Sequence, residues 1–239
     1  MKKIIIIFTS IILIILLWNL SRSKDYQIFG KIINRINTSE KIVALTFDDG
    51  PTIKHTDQII EILNSTNIKA TFFLVGKYIE ENPQEFKKIV DHGHEIGNHS
   101  YSHKLMIIKS YKSIAKEIKK TNNLIKQLGY RGETYFRPPY GKKLFILPYY
   151  LDKNNITTIT YDVAPDSYLD VSASPTQISD YVVNNTNPGS IILLHIMFKS
   201  YISSMKAVPD IINRLRVRGY RFVTITELIE HSEHQQSSL

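Results

Sequence analysis

A chain of 239 residues is long enough to bury one full core, and barrels of this size form single units. Hydrophobic residues at 43% and charged residues at 22% exclude a largely disordered chain, and the absence of cysteine excludes disulfides, thiolate metal sites and a lipid-modified cysteine. The formal net charge of +8 comes without an arginine-rich arm, a zinc finger or a basic helix interleaved with aromatics, so no nucleic-acid partner is expected.

Met1-Lys2-Lys3 leads into an apolar run from Ile4 to Leu20, interrupted only by Thr9, Ser10 and Asn19. As a helix rising ~1.5 Å per residue it spans about 25 Å, close to the thickness of a bilayer core. Trp18-Asn19-Leu20-Ser21-Arg22 offers no small-residue cleavage pattern. An uncleaved single-pass membrane anchor is therefore expected ahead of a cleaved and secreted form, with the remainder of the chain extracytoplasmic. Residues 1–20 read as this transmembrane segment, 21–40 as a polar linker, 41–230 as one domain and 231–239 as a polar tail.

Beyond the linker, short β-branched or apolar runs alternate with amphipathic stretches. Strands are predicted over 42–47, 70–75, 95–98, 134–137, 157–162, 190–195 and 221–225. Helical patterns lie between them, clearest over 56–63, 85–92, 107–128, 177–184 and 205–218. Gly93, Gly129 and Gly219 follow three of these helices, where a left-handed residue ends a helix well. This βα alternation is α/β, and seven such strands fit a parallel barrel with helices outside.

Three segments carry chemistry: Thr46-Phe47-Asp48-Asp49-Gly50-Pro51, His99-Ser100-Tyr101-Ser102-His103 and Arg137-Pro138-Pro139-Tyr140. Taken alone, Asp-Asp-Gly-Pro is a turn, two histidines four apart are polar surface, and Arg-Pro-Pro-Tyr is a stiff strand exit. Together they are more. Adjacent carboxylates can divide labour between a cation and a proton, and the histidines can offer imidazoles to the same cation. Asp48 and Asp49 follow the first predicted strand, and His99 and His103 the third. Arg137 and Tyr140 close the fourth, Asp162 ends the fifth and His195 the sixth. Parallel barrels gather their chemistry on that C-terminal rim.

These segments resemble the first three motifs of the polysaccharide deacetylases, the NodB-homology carbohydrate esterases, and Leu193-Leu194-His195 resembles the family's last motif. The resemblance runs over roughly residues 41–230. It implies a distorted (β/α) barrel of the NodB-homology type with fewer than eight complete units, preceded here by the transmembrane helix. It also assigns roles: Asp48 as catalytic base, Arg137 holding that base, the Tyr140 backbone N–H on the oxyanion, and His195 as proton donor to the leaving amine. Asp49, His99 and His103 become ligands of a divalent metal, zinc first, with cobalt, nickel or manganese also compatible. The implied reaction removes N-acetyl groups from an amino-sugar polysaccharide, whether peptidoglycan, chitin-like or poly-N-acetylglucosamine, and releases acetate.

The fourth motif departs from the family. Its Asp-x-x-Asp-Trp pattern is replaced by Ala164-Pro165-Asp166-Ser167-Tyr168, leaving Asp162 and Asp166 as rival partners for His195. Other readings stay open: a catalytically weak polysaccharide-binding protein on the same fold, a small-molecule N-acyl amidohydrolase, and a non-haem iron oxygenase, against which the βα alternation argues.

Overall fold

The computed structural model describes residues 1–170 and 172–236. Strand β2 (Ile42–Asp48) is buried along its whole length, as its unbroken apolar run demands of a parallel strand covered on both faces. It pairs in parallel with β3 (Thr71–Leu74), β6 (Ile191–His195) and β7 (Arg221–Val223), and β3 pairs with β4 (Glu95–Asn98). A second parallel pair joins β1 (Ile32–Ile33) to β5 (Thr158–Ile159). Isolated parallel bridges link Asn98 to Phe136, Phe136 to Thr158, and Val163 to Ile192. The chain thus passes from β4 through Phe136 and β5, then back to β6.

Helices α2 (Ile53–Ser65), α3 (Gly76–Glu81), α4 (Pro83–Asp91), α5 (Tyr111–Gln127), α6 (Ile146–Lys153), α7 (Pro175–Asn185), α8 (Ile202–Val217) and α9 (Ile225–Gln236) follow or intervene in chain order. The main core is built by Val43, Leu45 and Phe47 of β2 with apolar residues of α2, α7 and α8. On α5 the buried side is Ile114, Ile118, Thr121 and Ile125, the spacing of one helical face. Ser110 caps this helix by accepting from Ser113 N, and Ser174 and Gln177 form a reciprocal capping box at the start of α7.

Four expectations change. The strand predicted over 134–137 contracts to the bridges at Phe136, because Pro138 and Pro139 lack the N–H needed to extend a ladder. The strand over 157–162 stops at Ile159, and beyond it the Asp162 carboxylate takes the Ile191 N–H and the Ser190 hydroxyl in place of ladder partners. Residues 21–40 are not a free linker: Ile32 and Ile33 form β1, the Ile36 N–H donates to Gly189 O, and Ser21 O accepts from Lys143 N. The isoleucines of this polar stretch supply its buried contacts. Residues 231–236 continue α9 instead of opening a tail, and 237–239 lie outside the described residues.

Helix α1 (Lys2–Arg22) stands apart from the core, and Ser21 is its one buried residue. It is 21 residues long and its most apolar 18-residue stretch has a mean hydropathy of 2.6, long and apolar enough to cross a membrane.

Candidate active site

The sequence ends strands where the site needs side chains. Asp48 closes β2 and His195 closes β6, and the two are direct partners in the parallel register. His99 follows β4, and its N–H donates to Leu74 O, which fixes the start of the histidine loop against β3. Asp49, Ser100, His103 and Tyr140 all adopt positive φ, at 71°, 65°, 52° and 59°. Left-handed backbone at four non-glycine residues in one place is strain that the surroundings must hold, and such strain gathers at functional sites.

Arg137 is 1% exposed and fully engaged. Its Nη1 donates to Asp48 Oδ1 at 2.7 Å and to Thr46 Oγ1 at 2.8 Å, and its Nη2 donates to Thr160 O at 3.0 Å. The guanidinium lies over the Phe73 ring, 3.9 Å from its centroid. Burial works to raise the pKa of Asp48, but the charge and hydrogen bond of Arg137, aided by His99 and His195, hold it below the ordinary carboxylate range.

The Arg137 carbonyl does a second task. His99 Nδ1 lies 2.8 Å from it, and a carbonyl oxygen only accepts, so Nδ1 carries the proton and Nε2 is left as the lone-pair nitrogen. That Nε2 lies 3.7 Å from Asp48 Oδ2, while His103 Nε2 lies 3.5 Å from Asp49 Oδ1. Ligand-type atoms of Asp49, His99 and His103 all fall within 4.8 Å of one another. Burial, followed by the neighbouring His99, lowers the pKa of His103 and favours the neutral imidazole that a metal requires. One carboxylate and two imidazoles whose ligand-type atoms lie this close together fit a divalent cation and leave coordination positions open.

Across the cleft, His195 Nδ1 lies 2.7 Å from Asp166 Oδ2, and its ring stacks on Tyr201. Burial acts to lower the His195 pKa, yet the Asp166 hydrogen bond and the charges of Asp48 and Asp49 outweigh it, and the net shift is upward. Of the two rival aspartates, Asp166 therefore meets His195, while Asp162 serves the backbone of β6. The cleft encloses about 320 Å³ between these groups, with Tyr140 and Tyr161 on its walls. The Tyr140 ring lies 4.8 Å from that of His103.

All seven site residues expected from sequence converge here. Two supports were not foreseen. Glu117 of α5 accepts from Tyr101 N, Ser102 N and Ser102 Oγ at 3.1, 2.8 and 2.9 Å, clamping the loop that carries both histidines. Only the contact reveals it, since a glutamate in an amphipathic helix reads as solvated surface. Glu117→Ala is expected to weaken metal retention by about tenfold, the lower range for loss of a group that orients ligands, as read by titration with zinc. Gly97 is the other support: a Cβ there would overlap the Phe73 ring on which Arg137 rests. Gly97→Ala should cost about 1–3 kcal/mol in a denaturant melt and lower turnover through displaced Arg137, with metal content preserved.

Residues 35–159 match the family model described as polysaccharide deacetylase. A peptidoglycan-N-acetylglucosamine deacetylase of Bacillus cereus is 35% identical over 195 residues, which is 81% of this chain and 70% of that protein. The peptidoglycan-N-acetylmuramic acid deacetylase PdaC of Bacillus subtilis is 33% identical over 84% of this chain, but this chain spans only 42% of its length. A crystal structure of a peptidoglycan N-acetylglucosamine deacetylase superposes with a TM-score of 0.78 at 33% identity, covering 82% of this chain and 92% of that one. This chain belongs to the polysaccharide deacetylase family and is a hydrolase of non-peptide carbon–nitrogen bonds.

Proposed function

We propose that the protein is a membrane-anchored, metal-dependent deacetylase that removes N-acetyl groups from an amino-sugar glycan of the cell envelope, with residues 41–230 and the strand before them forming a distorted (β/α) barrel. The circuit of parallel pairs and bridges through β2, β3, β4, Phe136, β5, Val163 and β6 supports the barrel. The relatives' named activities make peptidoglycan the first substrate to test, with N-acetylglucosamine and N-acetylmuramic acid as the two candidate sugars. Helix α1 supports the anchor.

One observation carries the catalytic reading: the two adjacent aspartates face different partners. Asp48 is bound to Arg137 and Asp49 faces His103. A carboxylate committed to a cation is a poor proton acceptor, so this division leaves Asp48 free as the base. Asp49, His99 and His103 would hold a divalent ion, with zinc the first choice, to supply Lewis-acid polarisation of the acetamide carbonyl and of water.

The chain's own groups do the rest. Asp48, kept ionised by Arg137, takes a proton from the attacking water. The Tyr140 N–H, set by a proline-stiffened turn, donates to the oxygen that becomes negative, with little reorganisation needed. His195, held by Asp166, gives its proton to the departing nitrogen, because an amine does not leave as an anion. Water is consumed; acetate and a free amino sugar result. The test is acetate release from peptidoglycan, chitin oligomers and poly-N-acetylglucosamine by the purified protein, before and after chelation. Release unchanged in fully chelated protein would exclude the metal-dependent route.

The proton donor has its own signature. If His195 must be protonated for amine departure, turnover falls as pH rises through its pKa. Asp166 helps raise that pKa, so Asp166→Asn lowers it and moves the basic limb of the pH–rate profile to lower pH. An unmoved basic limb would assign it to another group.

A further inference from the structure

We propose that the face of the catalytic body around the end of α1 is a membrane-docking surface, with the loop 104–109 and the start of α6 seated in the headgroup and upper acyl region of an anionic bilayer. This rests on the anchor part of the reading above.

A groove of about 520 Å³ separates the end of α1 from the body. Ile14, Leu17 and Trp18 line it on the helix side, and Leu105, Ile107 and Ile108 line it on the body side. Ile14 precedes Trp18 by four residues, about 6 Å along the helix. Trp18 has the position of an interfacial aromatic at the end of a span, with Lys142 Nζ 4.4 Å from its ring centroid and Arg22 at 5.8 Å. If Trp18 sits at the headgroups, body residues facing Ile14 and Leu17 sit among acyl chains.

Those body residues have the matching character. Ile108 is 93% exposed, a bare isoleucine at a loop tip, and Phe145 and Ile146 at the start of α6 are exposed as well. Charge selects the partner. From Lys104 to Lys116 the chain has four exposed lysines and no acidic residue, and Lys142 adds a half-buried ammonium beside Trp18. Exposed apolar tips within a one-sided basic field match an anionic leaflet and repel a second copy of the same face. The surface also bears on the reaction, since Leu105 and Lys142 line a depression that continues to His103 and Tyr140 at the mouth of the cleft. Docking would hold that mouth beside the membrane.

The absence of cysteine makes the test direct. Full-length Ile108→Cys, labelled with an environment-sensitive fluorophore, is placed in vesicles of phosphatidylglycerol and phosphatidylethanolamine. Val217→Cys, exposed at the end of α8 where the chain turns to the N-terminal end of β2, and Ile7→Cys within α1 are labelled in parallel. Expected at position 108 is loss of emission to bromine-labelled acyl chains and protection from aqueous iodide, with the reverse at 217. Replacing Lys104, Lys109 and Lys112 by Gln, or the anionic lipid by phosphatidylcholine, should reduce the protection at 108. Iodide quenching at 108 equal to that at 217, with position 7 quenched by lipid, would overturn docking and spare the anchor. Iodide access at all three positions would overturn both.

Discussion

Asp48→Asn is expected to lower turnover by about 10² or more while metal and glycan binding persist, the usual size of a general-base contribution. The substitution keeps shape and removes the proton acceptor. The surroundings of Asp48 define the experiment further: it is buried, salt-bridged to a buried Arg137, and Arg137 is tied to Thr46 and Thr160 O. Removing the carboxylate charge leaves a guanidinium without its counter-ion, and breaking a buried pair costs about 3–5 kcal/mol. A lower Tm is therefore expected beside the loss of turnover, and activity is measured well below the melt. Asp49→Asn should do the converse, weakening metal retention with little effect on Arg137. Equal turnover in wild type and Asp48→Asn, with glycan binding preserved in both, would favour a binding protein and remove Asp48 as the base.

The residues that converge were legible because they sit at strand ends, and strand ends are where an apolar run gives way to polar residues. Ile42–Asp48 and Ile191–His195 announce themselves this way, and they place Asp48 beside His195. Less regular parts were not readable. Counting along a strand to Asp162 assumed that alternation continues past Ile159, whereas the backbone leaves the ladder there and a turn brings Asp166 to His195. Helix α6 was hidden by Pro148, which breaks a helical pattern on paper but sits in the first turn, where its missing N–H has no partner to lose. The contacts of residues 21–40 and the grip of Glu117 on the histidine loop join distant segments. Such pairings leave no periodicity to find.

His99→Ala is expected to abolish metal retention and reduce acetate release to background. His99 is 2% exposed, and its Nδ1–H on the Arg137 carbonyl turns Nε2 toward the site. The variant thus loses one of three proposed ligands and also leaves that buried carbonyl without its donor, so a fall in stability alone would not identify a ligand. Linkage separates the two. An ion that binds the folded chain only stabilises it by RT ln(1 + [M]/Kd), about 2.7 kcal/mol at a hundredfold excess over Kd. Chelation should therefore lower the Tm of wild type, while His99→Ala, already metal-free, should melt at the same temperature with and without chelator. The Arg137 carbonyl contributes equally to both melts of the variant and cancels. A chelator-induced fall in His99→Ala as large as in wild type would place the ion elsewhere and remove His99 from the ligand set.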